Sequence, residues 1–163
     1  MILVTIGTQA PFNRLIRAME DMAKDIEEEI IVQAFDLDFE PKHLKILGNV
    51  PTDEFNSLVA NSNIIISHAG MGNIISAMQY LKPIVILPRL SKFGEHRNDH
   101  QLATAKKMAS LNYVTSVYST DELKLRVFRH LKGDLLPPPP FLGEFASEAL
   151  INSIQNFMML KNK

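Results

Sequence analysis

Three segments hold the residue types that could do chemistry. The first is Ser67–Asn73, with the sequence SHAGMGN. Glycines at such a turn let the backbone approach phosphate oxygens, and a helix that follows presents free N–H groups and a partial positive charge. Gly70 and Gly72 fall where an apolar run gives way to a helical pattern, which suits a pyrophosphate. The plainer alternative is a tight turn that needs glycine for its own geometry. The second segment is Gly7–Phe12, where Gly7 avoids a Cβ and Thr8 supplies a hydroxyl. Alone it reads as an ordinary strand-to-helix loop, but two such turns facing one crevice point together to a ligand. The third is Arg89–Gln101, RLSKFGEHRNDHQ, which holds Arg89, Lys92, Glu95, His96, Arg97, Asn98, Asp99, His100 and Gln101. Basic groups neutralise phosphates, while carboxylates and amides grip sugar hydroxyls. A solvated loop with a helix cap at Asn98 or Asp99 is the other reading, and a cap is expected either way.

The apolar pattern says what must position these segments. Short, mostly apolar runs at Ile2–Ile6, Ile30–Ala34, Lys45–Leu47, Ile64–Ser67, Pro83–Leu87 and Tyr113–Val117 predict strands. Helical spacing predicts helices from Phe12 to about Glu28, from Thr52 or Asp53 to Asn61 and from Gly72 to Leu81. It predicts three more over Asn98–Leu111, Thr120–Leu131 and Phe145–Leu160. Strand–helix alternation with continuous apolar strands implies a parallel sheet covered on both faces. The expected fold is α/β, a Rossmann-like doubly wound sheet over residues 1–136. Pro137–Pro140 predicts a stiff spacer, and 141–163 a C-terminal helix that packs on the domain or on a partner.

Bulk properties narrow the field. The chain has 163 residues, which suggests one domain. A net charge of −1 gives no global pull toward nucleic acid or anionic membrane, so local basic groups must carry any phosphate binding. With no cysteine there is no disulfide framework and no cysteine–zinc site. Nothing resembles a secretory leader or a membrane span, so a membrane role would need another protein. The P-loop, nucleophile-elbow and zinc-helix motifs are missing. His96 and His100 are four residues apart but have no evident third ligand, so no metal is expected. His68 reads more readily as a strand-end hydrogen-bonding residue than as a base.

Taken together, ISHAGMGN, KPIVILPR, KFGEHRNDHQ and the opening VTIGTQAPFNRLI resemble the C-terminal domain of glycosyltransferase family 28. The similarity covers nearly the whole chain. It is nearest to short subunits of bacterial capsule and exopolysaccharide glycosyltransferases. Those are relatives of the cytosolic subunit of the eukaryotic dolichol-linked N-acetylglucosaminyltransferase. The resemblance implies the donor half of a GT-B enzyme that is inverting and needs no bound metal or other cofactor. It implies that Gly70, Met71, Gly72 and Asn73 face the diphosphate and that Val50 offers its backbone to the uracil. Glu95, Asn98, Asp99, His100 and Gln101 would lie at the donor sugar, with Gly7 and Thr8 lining the cleft near a partner. With His68, Arg89 and His96, these make up the expected donor-binding set. Ser76 stands where a full-length peptidoglycan relative carries an acid that contacts ribose, so that contact would pass to another residue such as Glu95.

The implied function is transfer of a hexose-type sugar from a UDP-sugar to a lipid-linked acceptor in polysaccharide biosynthesis. A membrane-associated subunit would bind the acceptor and carry the base, and would hold this chain at the inner face of the membrane. Two other readings stay open: a non-catalytic enhancer of a partner transferase, and an unrelated nucleotide-binding regulator.

Overall fold

The computed structural model describes residues 1–143, 145 and 147–160. Six parallel strands form one sheet: β1 (Ile2–Thr5), β2 (Ile30–Gln33), β3 (Lys45–Leu47), β4 (Ile64–Ser67), β5 (Ile84–Ile86) and β6 (Thr115–Ser116). Their spatial order is β3-β2-β1-β4-β5-β6. The order therefore reverses between β1 and β4, which lie side by side with Leu3 opposite Ile65 and Thr5 opposite Ser67. This is the Rossmann-like doubly wound sheet that the apolar pattern predicts.

Alternation along the strands builds two cores. Ile2, Val4, Val32, Ile66 and Val85 point to one face, against Leu15, Ile16 and Met19 of α1 (Asn13–Ala23). Leu123 and Val127 of α5 (Thr120–Leu131) close that layer. Leu3, Ile65, Ile84 and Ile86 point the other way. They meet Val59 of α2 (Thr52–Asn61), Ile74 and Ala77 of α3 (Met71–Gln79), and Ala105 of α4 (His100–Ser110). Each fully buried aliphatic side chain contributes about 1.5–3 kcal/mol, so the continuously apolar strands of the sequence are the main source of stability.

Several element ends differ from the sequence expectation. α1 stops at Ala23, not near Glu28. Asp25 and Ile26 close tight turns onto Met22 and Ala23, and Glu28 turns away to bind the N-terminal ammonium at 2.6 Å and Asn63 at 2.8 Å. Those contacts bring Ile30 into register beside Ile2. α4 begins at His100, not Asn98, because the Asn98 and Asp99 side chains are committed within the preceding loop. β6 shrinks to two residues, since the Tyr113 N–H closes the end of α4 by donating to Met108 O.

Past α5 the chain stays on the domain at first: Leu136 and Pro139 are buried, and the Leu142 N–H donates to Met78 O. A last helix, α6 (Glu148–Leu160), follows, and its side chains are exposed from Glu148 to Met159. Glu144, Ala146 and 161–163 of the expected C-terminal segment lie outside the described residues.

Candidate functional site

The site grows from the carboxyl ends of β1 and β4, where the reversal of strand order leaves a crevice. A cleft of about 1030 Å³ opens there, near the upper end of the range for small-molecule sites. A buried polar network forms its floor. Thr5 Oγ1 donates to Gln33 Oε1 at 2.7 Å, and Ser67 Oγ donates to Thr5 O at 2.9 Å. Asn73 Nδ2 donates to Ser67 Oγ at 2.7 Å, so this side chain turns inward and ties α3 to β4.

The β4–α3 turn supplies the wall. Gly70 occupies the position before α3, and no side chain caps the helix there. Helix geometry leaves the N–H groups of the first turn without intrahelical acceptors, and they point out of the helix end. Gly70 and Gly72, alike in sequence, then do different things. A Cβ on Gly70 would lie 2.3 Å from His68 Nε2, whereas a Cβ on Gly72 would meet nothing within 4 Å. Gly70 is needed for the fold. Gly72 keeps a piece of the cleft open. Gly7, with φ of 71°, takes a left-handed turn, and a Cβ there would lie 2.9 Å from His68 Cε1.

His68 is therefore packed between two glycine backbones. Burial and the positive charge of Arg89 push its pKa down to about 4, against a smaller raising effect from a hydrogen bond at Thr5. The imidazole is neutral at pH 7 and too weakly basic to compete for protons there. Replacing Gly70 by Ala is expected to destabilise the chain by about 1–3 kcal/mol, the usual cost of overpacking. Gly70→Ala/His68→Ala should recover part of the loss, because the clash is between these two residues. Urea unfolding of the four variants checks this. A double mutant that simply adds the two single losses would show that the ring and the glycine do not compete for one space.

Arg89 is only 2% exposed, and among the described residues no carboxylate forms a hydrogen bond or ion pair with it. Its Nη2 donates to Ile6 O at 2.9 Å and also to Ala10 O. Among the described residues its Nε has no partner. The guanidinium sits 5.2 Å from the centroid of the Phe12 ring. Arg89 thus staples the Gly7–Phe12 turn and leaves buried positive charge in the lining of the cleft.

The remaining expected residues arrive from the loop that follows β5, the first turn of α4 and the Gly48–Pro51 loop. Val50, Glu95, His96, His100 and Gln101 line the cleft, as do Thr8, Met71, Gly72 and the residues already described. Gln101 Oε1 accepts from Arg89 N at 3.1 Å. The His96 and His100 rings stack edge-on, 4.4 Å apart. Asn98 and Asp99 do not line the cleft. Asn98 Oδ1 lies 2.6 Å from His100 Nδ1, and Asp99 Oδ1 accepts from both N and Oγ of Ser91. Those Ser91 bonds hold the Asp99 carboxyl below its usual range. Ser76 lies on α3 and does not line the cleft. Sequence reasoning missed Gln33, Phe55 and Thr104, which also line it. A glutamine ending an otherwise apolar strand was the one available signal; the other two sit on helices and carry none. Among the described residues no three His, Cys, Asp or Glu gather as a metal-holding group.

Residues 1–135 match the glycosyltransferase family 28 C-terminal domain. The chain belongs to this family. A relative from Candida albicans, UDP-N-acetylglucosamine transferase subunit ALG13, is 31% identical over 86 residues, covering 53% of this chain and 28% of the relative. The subunit of the same name from Saccharomyces cerevisiae is 29% identical over 109 residues, covering 66% of this chain and 52% of its own length. The chain thus spans about half or less of these relatives. In three dimensions it resembles the solution structure of ALG13 with a TM-score of 0.56 at 20% identity, covering 84% of this chain and 87% of that one. It also resembles MurG of Acinetobacter baumannii with a TM-score of 0.57 at 17% identity, covering 83% of this chain and 42% of that one. The architecture is that of the C-terminal half of GT-B glycosyltransferases.

Proposed function

We propose that this chain is the donor-binding subunit of a two-component inverting glycosyltransferase that takes its sugar from a UDP-sugar. The uncapped N-terminus of α3, opening into the cleft that the buried cation Arg89 also lines, carries the proposal. An anion is the ligand both features call for, and the order reversal of a doubly wound sheet is where nucleotides bind. The leaving diphosphate would rest on the N–H groups of Met71–Asn73, with Arg89 offsetting its charge, so the scheme needs no resident metal. Val50 and Thr52, which line the cleft, would meet the base, and His96, His100 and Gln101 the sugar.

In an inverting displacement, an acceptor hydroxyl loses its proton to a base and attacks the anomeric carbon while the diphosphate departs. His68 is too weakly basic and too enclosed for that task. In this reading the base and the acceptor site would lie on a second, membrane-associated subunit, which would hold this chain at the inner face of the membrane. A lipid-linked saccharide as acceptor and a hexose-type sugar as cargo, in polysaccharide assembly, complete the proposal. The ALG13 relatives, named as transferase subunits, support the two-component arrangement.

Isothermal calorimetry tests the nucleotide. UDP is expected to bind at least about tenfold more tightly than ADP, a difference of about 1.4 kcal/mol. Equal or stronger binding of ADP would make the chain a nucleotide module of another kind.

A further inference from the structure

Glu95 reads from sequence as a sugar or ribose ligand, but both of its oxygens already accept hydrogen bonds from the protein. Oε1 accepts from Arg14 Nε at 2.6 Å. Oε2 accepts from Arg14 Nη2 at 2.8 Å and from Leu90 N at 2.9 Å. The same Nη2 donates to Pro88 O at 3.0 Å. The guanidinium lies 4.9 Å from the Phe93 ring centroid and 5.2 Å from that of Phe12. The two charged side chains are 20% and 10% exposed, so water competes little for this bidentate pair.

The place of this pair in the fold gives it a task. Arg14 stands in the first turn of α1, on a rigid helix packed in the core. Pro88, Leu90 and Glu95 span the start of the loop that delivers His96, Arg97 and His100 to the cleft. That loop pairs with no strand. Between Pro88 and α4 it holds only a short 3-10 turn, Ser91–Phe93, closed by Gly94 at φ of 69°. Arg89 fixes the start of the loop to Ile6 O and Ala10 O, and the tie from Ser91 to Asp99 is internal to the loop. Arg14 is thus a second link, beside Arg89, from the loop to the body of the domain, and the one that reaches its middle at Glu95. It also cancels the charge of Glu95, the one carboxylate among the described residues that line the cleft.

We infer that Arg14 is a positioning residue for the donor cleft: through Glu95 it holds the Pro88–Arg97 loop in its binding shape and hides a carboxylate from an anionic ligand. Glu95 is then a strut, and not a contact to sugar or ribose. The inference rests on reading the cleft as the donor site, but its first test does not.

That test is limited trypsinolysis of the native chain without nucleotide. Arg14→Ala is expected to speed cutting after Lys92 and Arg97 by about tenfold or more, the effect of losing about 1.4 kcal/mol of local stability. Glu95→Ala and the double variant should match it, because the pair acts as one unit. Arg14→Lys, which keeps the charge and one donor, should restore part of the protection. In calorimetry with UDP the same variants should lose affinity in the same order. If Arg14→Ala does not fold, Glu95→Gln, which keeps the shape, carries the same expectation. Unchanged cutting in a folded variant would overturn the inference. So would a Glu95→Ala variant that loses far more UDP affinity than Arg14→Ala, since Glu95 would then touch the ligand. A wild-type chain that binds no UDP but shows the protease pattern would instead remove the donor reading and leave the strut.

Discussion

Replacing Gly72 by Asp is expected to abolish measurable UDP binding while leaving the thermal midpoint nearly unchanged. A Cβ at Gly72 meets no protein atom within 4 Å, so the side chain costs the fold little. Asp in the first turn of a helix is if anything favourable, by about 0.3–1 kcal/mol. The same carboxylate would stand at the open end of α3, where the diphosphate is proposed to lie. Two unit charges about 4 Å apart repel by about 4 kcal/mol near a protein surface, or roughly three powers of ten in affinity. Gly72→Ala should give a smaller loss, from volume alone. Calorimetry with UDP, paired with a melting curve, separates the two effects. UDP binding within about threefold of wild type by Gly72→Asp, well short of even one 1.4 kcal/mol step, would move the phosphates away from α3.

The second large effect is on stability in mild acid. The His68 imidazole has a folded-state pKa near 4, against 6.5 for the free side chain. Between those values the unfolded chain binds the proton and the folded chain does not. The stabilisation is therefore complete above pH 6.5 and is lost as pH falls toward 4, amounting to about 3 kcal/mol. His130 acts in the same direction: burial lowers its pKa, and its Nδ1 accepts from Leu136 N at 3.0 Å. The lowered carboxyls of Glu20, Glu28 and Asp99 titrate further into acid. Urea unfolding at a series of pH values should thus fall steadily from pH 6.5 to 4.5. His68→Asn should flatten most of that slope, leaving the part due to His130. A variant with the wild-type slope would mean that the ring is not held neutral between Gly7 and Gly70.

Most of this architecture is legible in the sequence because its signals are local. Apolar strands such as Ile64–Ser67 can only be buried, and the glycines after them mark turns. The same patterns name Gly70, Gly72 and the Arg89–Gln101 loop as the site. They cannot tell the two glycines of SHAGMGN apart. Gly70 makes room for His68, whereas Gly72 faces open space, and that difference exists only once the imidazole has a position. Nor can they assign Glu95. Its partner Arg14 is 81 residues away, so a carboxylate in a polar loop looks like a ligand when it is a strut. Asn98 and Asp99 fail for a related reason: their oxygens close the loop on itself, over distances of two and eight residues. Gln33, Phe55 and Thr104 join the cleft through the strand order and the placing of α2 and α4, which no local pattern encodes.

The central claim is that UDP sits on the N-terminus of α3, between the Gly7 turn and the Pro88–Gln101 loop. Titrating UDP into the isotope-labelled chain and following its backbone amide resonances tests that most directly. The account predicts the largest shifts at Met71, Gly72 and Asn73, with a second group at Val50 and around Arg89. Saturable shifts confined to other parts of the chain, with the α3 amides unmoved, would contradict it.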